Sequence, residues 1–233
     1  MKEQQALRRA AESEIEVPIG RIRLAGNLNL PENARGLVLF AHGSGSSRHS
    51  PRNRYVARVL REARLATLLM DLLTPEEEAL DWQTAELRFD IGLLAGRVVG
   101  AIDWLQTQPQ TGELDIGLFG ASTGAGAALV AAAARPESVA AIVSRGGRPD
   151  LAGTEVIRRV KAPTLLIVGG RDVPVIQMNQ EAFAELRCEK RLEIIPGATH
   201  LFEEPGALEE VARLARAWFV QHLGQKEPEK RAA

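Results

Sequence analysis

Short apolar segments of β type alternate with helical patterns from about residue 36 to about residue 223. Such alternation is typical of a mostly parallel sheet with helices on both faces. The apolar segments are near-continuous, as strands buried on both faces are. They lie at residues 36–41, 66–71, 114–119, 139–144, 163–168 and 191–195. The sequence therefore predicts the α/β class with a central, mostly parallel sheet.

The chain before residue 36 has a different pattern. Residues 15–17 and 19–30 alternate apolar with polar side chains around a Pro18/Gly20 turn, which is typical of an antiparallel edge hairpin with one face in water. Helices are predicted from residue 51, over residues 84–106 and 125–134, and near residues 177–186 and 205–223. Fewer than twenty residues separate positions 144 and 163. That length leaves no room for a large helical lid.

Composition restricts the partners more than the fold. With 233 residues, of which 45% are apolar, the chain is long enough for one sizeable core, so we expect a single domain over residues 1–233, with an N-terminal extension at 1–13 and a flexible polar tail at 225–233. The net charge of −1 offers no general attraction to nucleic acid or to an anionic membrane. Cys188 is the single cysteine, so an intramolecular disulfide is excluded. No stretch has the character of a signal peptide or a membrane span. We expect a soluble, cytoplasmic monomer or homodimer with a small-molecule partner.

A Gly-Ala-Ser-Thr-Gly motif lies at residues 120–124, between a predicted strand and the alanine-rich helix. A sharp turn there would hold Ser122 in strained geometry with its hydroxyl above the sheet, as a nucleophile requires. The start of the helix would direct its amides at developing negative charge. A glycine-rich helix entry without chemistry is the alternative, because the bare pattern also arises by chance.

A serine hydroxyl needs a base, and the base needs a carboxylate that fixes its tautomer. Asp172 follows the predicted strand 163–168, and His200 follows the strand 191–195. The carboxyl ends of parallel strands meet at one edge of the sheet, so the sequence predicts that Ser122, Asp172 and His200 lie together. The order serine, aspartate, histidine is typical of one strand-and-helix architecture. Two alternatives stay open: Asp172 as a helix cap only, and Asp150 as the acid.

The glycine-rich loop at residues 42–46 follows the strand 36–41. Its backbone amides can face the nucleophile, so we assign the donors for a tetrahedral oxyanion to the amides of Ser44 and Thr123. The side chain of His42 is then structural. A phosphate-binding loop is the rival interpretation, but no Lys-Ser or Lys-Thr pair follows the glycines.

Four motifs in order, HGSGSS, GASTGA, GGRDVPV and GATHLFEEP, resemble the α/β-hydrolase superfamily, and most closely its dienelactone-hydrolase-like branch. The resemblance covers nearly the whole chain. It implies Ser122, Asp172 and His200 as a catalytic triad, with amides near Ser44 and Thr123 as the oxyanion hole. The name-giving enzymes of this branch carry cysteine at the nucleophile position, whereas this chain has Ser122. Dienelactone itself as the substrate is therefore in doubt.

The sequence thus predicts a hydrolase that cleaves small carboxylic esters through an acyl-enzyme on Ser122, with no metal and no cofactor. Arg48, His49 and Arg145 lie on loops predicted to border the site, where they could hold a substrate carboxylate or simply be solvated. Two other functions remain open. The same triad could pass the acyl group to a peroxide, a thiol or an alcohol, or the fold could be a catalytically silent binding module.

Overall fold

The structure, a computed structural model, describes residues 12–224 and contains one sheet of eight strands in the order β1-β2-β4-β3-β5-β6-β7-β8. The strands are β1 (Ser13–Ile19), β2 (Ile22–Asn29), β3 (Gly36–Ala41), β4 (Leu65–Met70), β5 (Ile116–Ala121), β6 (Val139–Arg145), β7 (Thr164–Gly169) and β8 (Lys190–Ile195). Strand β2 runs antiparallel to both its neighbours, and β3 to β8 are parallel to one another. The predicted α/β class and the antiparallel N-terminal strands are confirmed.

Helices cover both faces of the sheet and divide the core into two apolar clusters. They are α1 (Pro51–Glu62), α2 (Pro75–Thr84), α3 (Ile91–Thr107), α4 (Thr123–Ala134), α5 (Thr154–Ile157), α6 (Val173–Glu185) and α7 (Ala207–His222). Helices α1 and α7 pack on one face and bury, among others, Leu60 and Phe219. On the other face, α3, α4 and α6 pack against the sheet. Strands β3 to β7 are consequently covered on both sides, which explains their near-continuous apolar sequences.

The helix predicted over residues 84–106 is wrong in its first part. Helix α3 begins only at Ile91, because the Asp90 side chain accepts a hydrogen bond from the Leu93 amide and caps it there. A separate helix, α2, precedes it and was missed. Thr74 and Glu77 form a capping box at its start, and Ala85 ends it in a left-handed conformation.

The connection between β6 and β7 contains only a 3₁₀ turn at Pro149–Ala152 and the four-residue α5, so no large lid covers this edge. The predicted extension at 1–13 lies almost entirely outside the described residues, and Ser13 already belongs to β1. The predicted tail at 225–233 lies wholly outside them. Within residues 12–224, no helix combines the length and the apolar character needed to cross a bilayer.

Candidate active site

Ser122 occupies the turn between β5 and α4, with φ of 50° and ψ of −121°. Residues with a side chain rarely adopt positive φ, so the turn is strained and holds the hydroxyl in a fixed direction. Its neighbours must be small. A Cβ on Gly120 would lie 2.4 Å from Ala125 Cα, and one on Gly124 would lie 2.2 Å from the Ala41 carbonyl oxygen. These two close approaches are the structural reason for the glycines that flank the motif.

The His200 imidazole connects Ser122 with Asp172. Its Nδ1 lies 2.6 Å from Asp172 Oδ2, and its Nε2 lies 3.3 Å from Ser122 Oγ. Pairing with a carboxylate favours the tautomer with a proton on Nδ1, which leaves Nε2 free to accept from the hydroxyl. Asp172 and His200 follow β7 and β8, whose carboxyl ends meet the same sheet edge as Ser122. The structure therefore brings together the three side chains singled out in the sequence.

The two alternatives concerning the acid can be compared directly. Asp172 stands at the N-cap position of α6, but its side chain makes no capping hydrogen bond there. Asp150 instead accepts hydrogen bonds from the Arg148 guanidinium, at 2.9 and 2.7 Å. Asp172 is thus the carboxylate that contacts His200.

Contacts of residues on both sides of His200 hold the loop that carries it. The Thr199 amide donates to Glu204 Oε2 at 3.0 Å, and this hydrogen bond is the main reason that the pKa of Glu204 is lowered. Phe202 is buried at 1% exposure, with a φ of 56°. At the end of β6, a Cβ on Gly146 would lie 3.2 Å from the His200 carbonyl oxygen. A side chain at position 146 would crowd this loop, and the φ of 51° at Gly146 also favours glycine there.

The loop after β3 lies against the start of α4. The Ser44 amide, however, donates to the Thr123 hydroxyl at 2.9 Å. An oxyanion would therefore have to share this amide with Thr123 Oγ1 or replace that oxygen as its acceptor. The Thr123 amide belongs to the first turn of α4, where amides lack partners within the helix.

The His42 side chain fixes the glycine-rich loop at residues 42–46 to the chain that follows β4. Its Nδ1 lies 2.9 Å from the Gly43 carbonyl oxygen, and its Nε2 accepts from the Leu72 amide at 3.1 Å. Both contacts require a neutral ring with its proton on Nδ1. Burial, the largest influence, lowers the pKa of His42 and favours that neutral form.

Acidification is expected to weaken the fold through His42. Its pKa is lowered in the folded protein from the ordinary 6.5. Below that pH the unfolded chain takes up a proton that the folded protein excludes, so the free energy of unfolding falls by up to about 1.4 kcal/mol per pH unit. At pH values above 6.5, the full contribution of the neutral His42 side chain to the free energy of unfolding is present. Urea unfolding at about pH 7.5 and about pH 5.5 measures the fall, which should be smaller in His42→Gln. An equal fall in both proteins would argue against this origin.

Comparison with known proteins assigns the family. Residues 72–223 match the dienelactone hydrolase family. The chain belongs to this family. The crystal structure of a dienelactone hydrolase from Anabaena variabilis is 64% identical in sequence, covers 92% of this chain and 99% of its own, and superposes with a TM-score of 0.91.

More distant structures share the fold alone. Est1E from Butyrivibrio proteoclasticus is 16% identical, with a TM-score of 0.76 over 91% of this chain and 98% of its own. Among curated proteins, a Mycobacterium tuberculosis protein with the provisional name phosphoribosyl transferase is 59% identical over 91% of this chain. The chain spans only 47% of the length of that relative.

In this member of the dienelactone hydrolase family, the three residues predicted to border the site have different surroundings. They are Arg48, His49 and Arg145. Both the backbone amide and the guanidinium of Arg48 donate to Asp71, and these contacts fix the loop that follows β3. His49 is exposed at the surface. Arg145 is the last residue of β6 and is buried, at 7% exposure. A substrate role for each stays a prediction, and Arg48 already has a carboxylate partner.

Helix α2, which the sequence patterns did not predict, contributes side chains to a cleft beside the candidate active site. This cleft, which Ser44 and Thr123 line, is also lined by Trp82 of α2, and by Arg88 and Leu94, which follow that helix in the chain. The Arg88 guanidinium lies 5.7 Å from the centre of the Trp82 ring and donates to Asp81 Oδ2 at 2.6 Å. The Thr74/Glu77 capping box and the proline at the helix start were the sequence signals that could have located α2.

Proposed function

We propose that the protein is a serine hydrolase that cleaves small carboxylic esters through an acyl-enzyme on Ser122. The single observation that carries the proposal is the hydrogen-bonded chain from Ser122 Oγ through His200 to Asp172. A strained serine, a base within reach and a carboxylate behind the base are what nucleophilic acyl transfer requires.

In the first half-reaction, His200 Nε2 takes the proton of the Ser122 hydroxyl as its oxygen bonds to the ester carbonyl carbon. The carbonyl oxygen becomes an oxyanion, for which the amides of Ser44 and Thr123 are the proposed donors. His200 then gives the proton to the departing alkoxide, and the carbon–oxygen bond breaks. In the second half, His200 takes a proton from water as the water oxygen bonds to the acyl carbon. His200 then returns that proton to Ser122 Oγ as the bond between this oxygen and the acyl carbon breaks, and the acid leaves. Asp172 orients the imidazole and stabilises its charged form throughout.

Competition between acyl acceptors tests this proposal. If a common acyl-enzyme forms, hydrolysis of p-nitrophenyl acetate and of phenyl acetate in the presence of hydroxylamine should yield the same ratio of acid to hydroxamate. The two leaving groups have departed before the acceptor reacts, so they cannot influence that ratio. A ratio that changes with the leaving group would exclude the shared intermediate. The same assay with an alcohol or a peroxide in place of hydroxylamine reveals whether either acceptor is preferred to water.

We do not extend phosphoribosyl transfer to this chain. That name belongs to a relative of which this chain covers only 47% of the length. The residues that meet at the sheet edge are a serine, a histidine and an aspartate in hydrogen-bonded sequence. This set supports hydrolysis of an acyl bond.

Removal of the Trp82 side chain is expected to shift the substrate preference towards longer acyl groups. Trp82 bounds the cleft beside Thr123, so Trp82→Ala should raise the ratio of kcat/KM for p-nitrophenyl octanoate over acetate by roughly tenfold. Phe89→Ala is the matched control, because Phe89, in the 3₁₀ turn that follows α2, is an aromatic residue with 53% exposure that does not line the cleft. Equal changes in the two variants would show that this cleft does not receive the acyl chain.

A further inference from the structure

Arg145 is a buried cation that pairs with no carboxylate of residues 12–224. It is the last residue of β6, and only 7% of its surface is exposed. Its Nε and Nη1 atoms have no hydrogen-bond partner among the described residues. By contrast, the partly buried guanidiniums of Arg88 and Arg97 each contact a carboxylate at 2.6 Å. Burial of an unpaired charge costs several kcal/mol, so a group that compensates it is expected at this position.

The surroundings of Arg145 add positive charge. Side chains alternate along a strand, so Arg145 shares a face with Val143 and points towards the side of α1 and α7. There the charge of Arg52, in the first turn of α1, acts on it. Burial first, and Arg52 second, lower the pKa of Arg145 to about 10. The N-terminus of α1 adds its own partial positive charge.

Arg52 itself is only weakly neutralised. Its Nη1 lies 3.4 Å from Glu203 Oε1, and 64% of the Glu203 side chain is exposed. Its Nε is buried and has no hydrogen-bond partner among the described residues. Two neighbouring arginines therefore keep donor groups that no described carboxylate uses. This is the arrangement that binds a planar or tetrahedral oxyanion.

We infer that Arg145 and Arg52 form a binding site for a small oxyanion, a carboxylate or phosphate group, beside the candidate active site. Gly146, next to Arg145, lies against His200, and Glu203, the partner of Arg52, follows three positions after His200. The oxyanion can be a free ion, or it can be the charged end of an ester whose carbonyl lies at Ser122. The second form rests on the proposed function.

Titration with inorganic phosphate tests the site without catalysis. At constant ionic strength, calorimetry should detect one saturable phosphate per chain in the wild type. Arg145→Met, which keeps a buried side chain without charge, and Arg52→Gln should each weaken binding by roughly tenfold or more. Arg54→Gln, an exposed arginine on the same helix, is the control and should bind as the wild type does. Absence of saturable binding in the wild type, or unchanged binding in both variants, would overturn the inference. Arg52→Gln decides the question if Arg145→Met does not fold.

Two esters distinguish the sources of the oxyanion. Mono-p-nitrophenyl succinate carries a carboxylate, and p-nitrophenyl butyrate is neutral and of similar length. If the substrate supplies the anion, Arg145→Met raises KM for the succinate roughly tenfold without affecting the butyrate, and phosphate competes with the succinate only. If the ion is free, phosphate still binds, and Arg145→Met changes KM for the two esters to the same extent. Either result supports the site. Should neither ester be cleaved, the proposed function fails while the phosphate titration still decides the site.

Discussion

Replacement of Ser122 by alanine is expected to lower kcat/KM for p-nitrophenyl acetate by roughly 10⁴- to 10⁶-fold. The variant lacks the oxygen that would form the acyl-enzyme, while His200 and Asp172 stay paired with each other. Any activity that remains would come from the oxyanion donors and from substrate binding. Steady-state release of p-nitrophenolate measures the loss.

Ser144→Ala is the matched control for this experiment. Ser144 is a fully buried serine on the neighbouring strand, and its hydroxyl has no hydrogen-bond partner among the described residues. Its removal should change kcat/KM by less than about threefold. A Ser122→Ala variant that keeps more than about a tenth of the wild-type rate would contradict the assignment of the nucleophile.

The second large effect is expected for Asp172→Asn. The amide N–H of Asn can donate a hydrogen bond to His200 Nδ1, and it then stabilises the tautomer that has its proton on Nε2, facing Ser122. The base would be blocked, so kcat should fall by roughly 10³- to 10⁴-fold with little change in KM. The pairing of Asp172 Oδ2 with His200 Nδ1 at 2.6 Å is the contact that the substitution alters. Initial rates over a range of p-nitrophenyl acetate concentrations separate kcat from KM.

Asp150→Asn distinguishes the two candidate acids. Asp150 pairs with Arg148, so its substitution should leave kcat within about threefold of the wild type. A larger loss in Asp150→Asn than in Asp172→Asn would show that the acid had been assigned wrongly.

The sheet edge that gathers the site could be predicted from sequence because it follows from a general rule of parallel sheets. Once residues 114–119, 163–168 and 191–195 are interpreted as buried parallel strands, the residues that follow them must share one edge. The loops after them then bring Ser122, Asp172 and His200 into contact, as the structure has them. Ser50 and Pro51 likewise marked the start of α1 through a capping pattern that depends only on neighbouring residues.

Features that depend on tertiary contacts could not be predicted in the same way. Helix α2 buries only Asp81 among its residues, so it has no apolar stripe to identify it, and Leu87 happened to continue the period of α3. The hydrogen bond from the Ser44 amide to Thr123 Oγ1 joins residues 79 positions apart. For Arg145, the sequence placed a charge near a strand end but could not tell that its side chain is buried.

Labelling with a fluorophosphonate followed by mass spectrometry tests the central claim most directly. The account predicts one covalent adduct per chain, located on Ser122, and its absence in both Ser122→Ala and His200→Ala at matched exposure. An adduct on any other residue, or equal labelling of the His200→Ala protein, would contradict it.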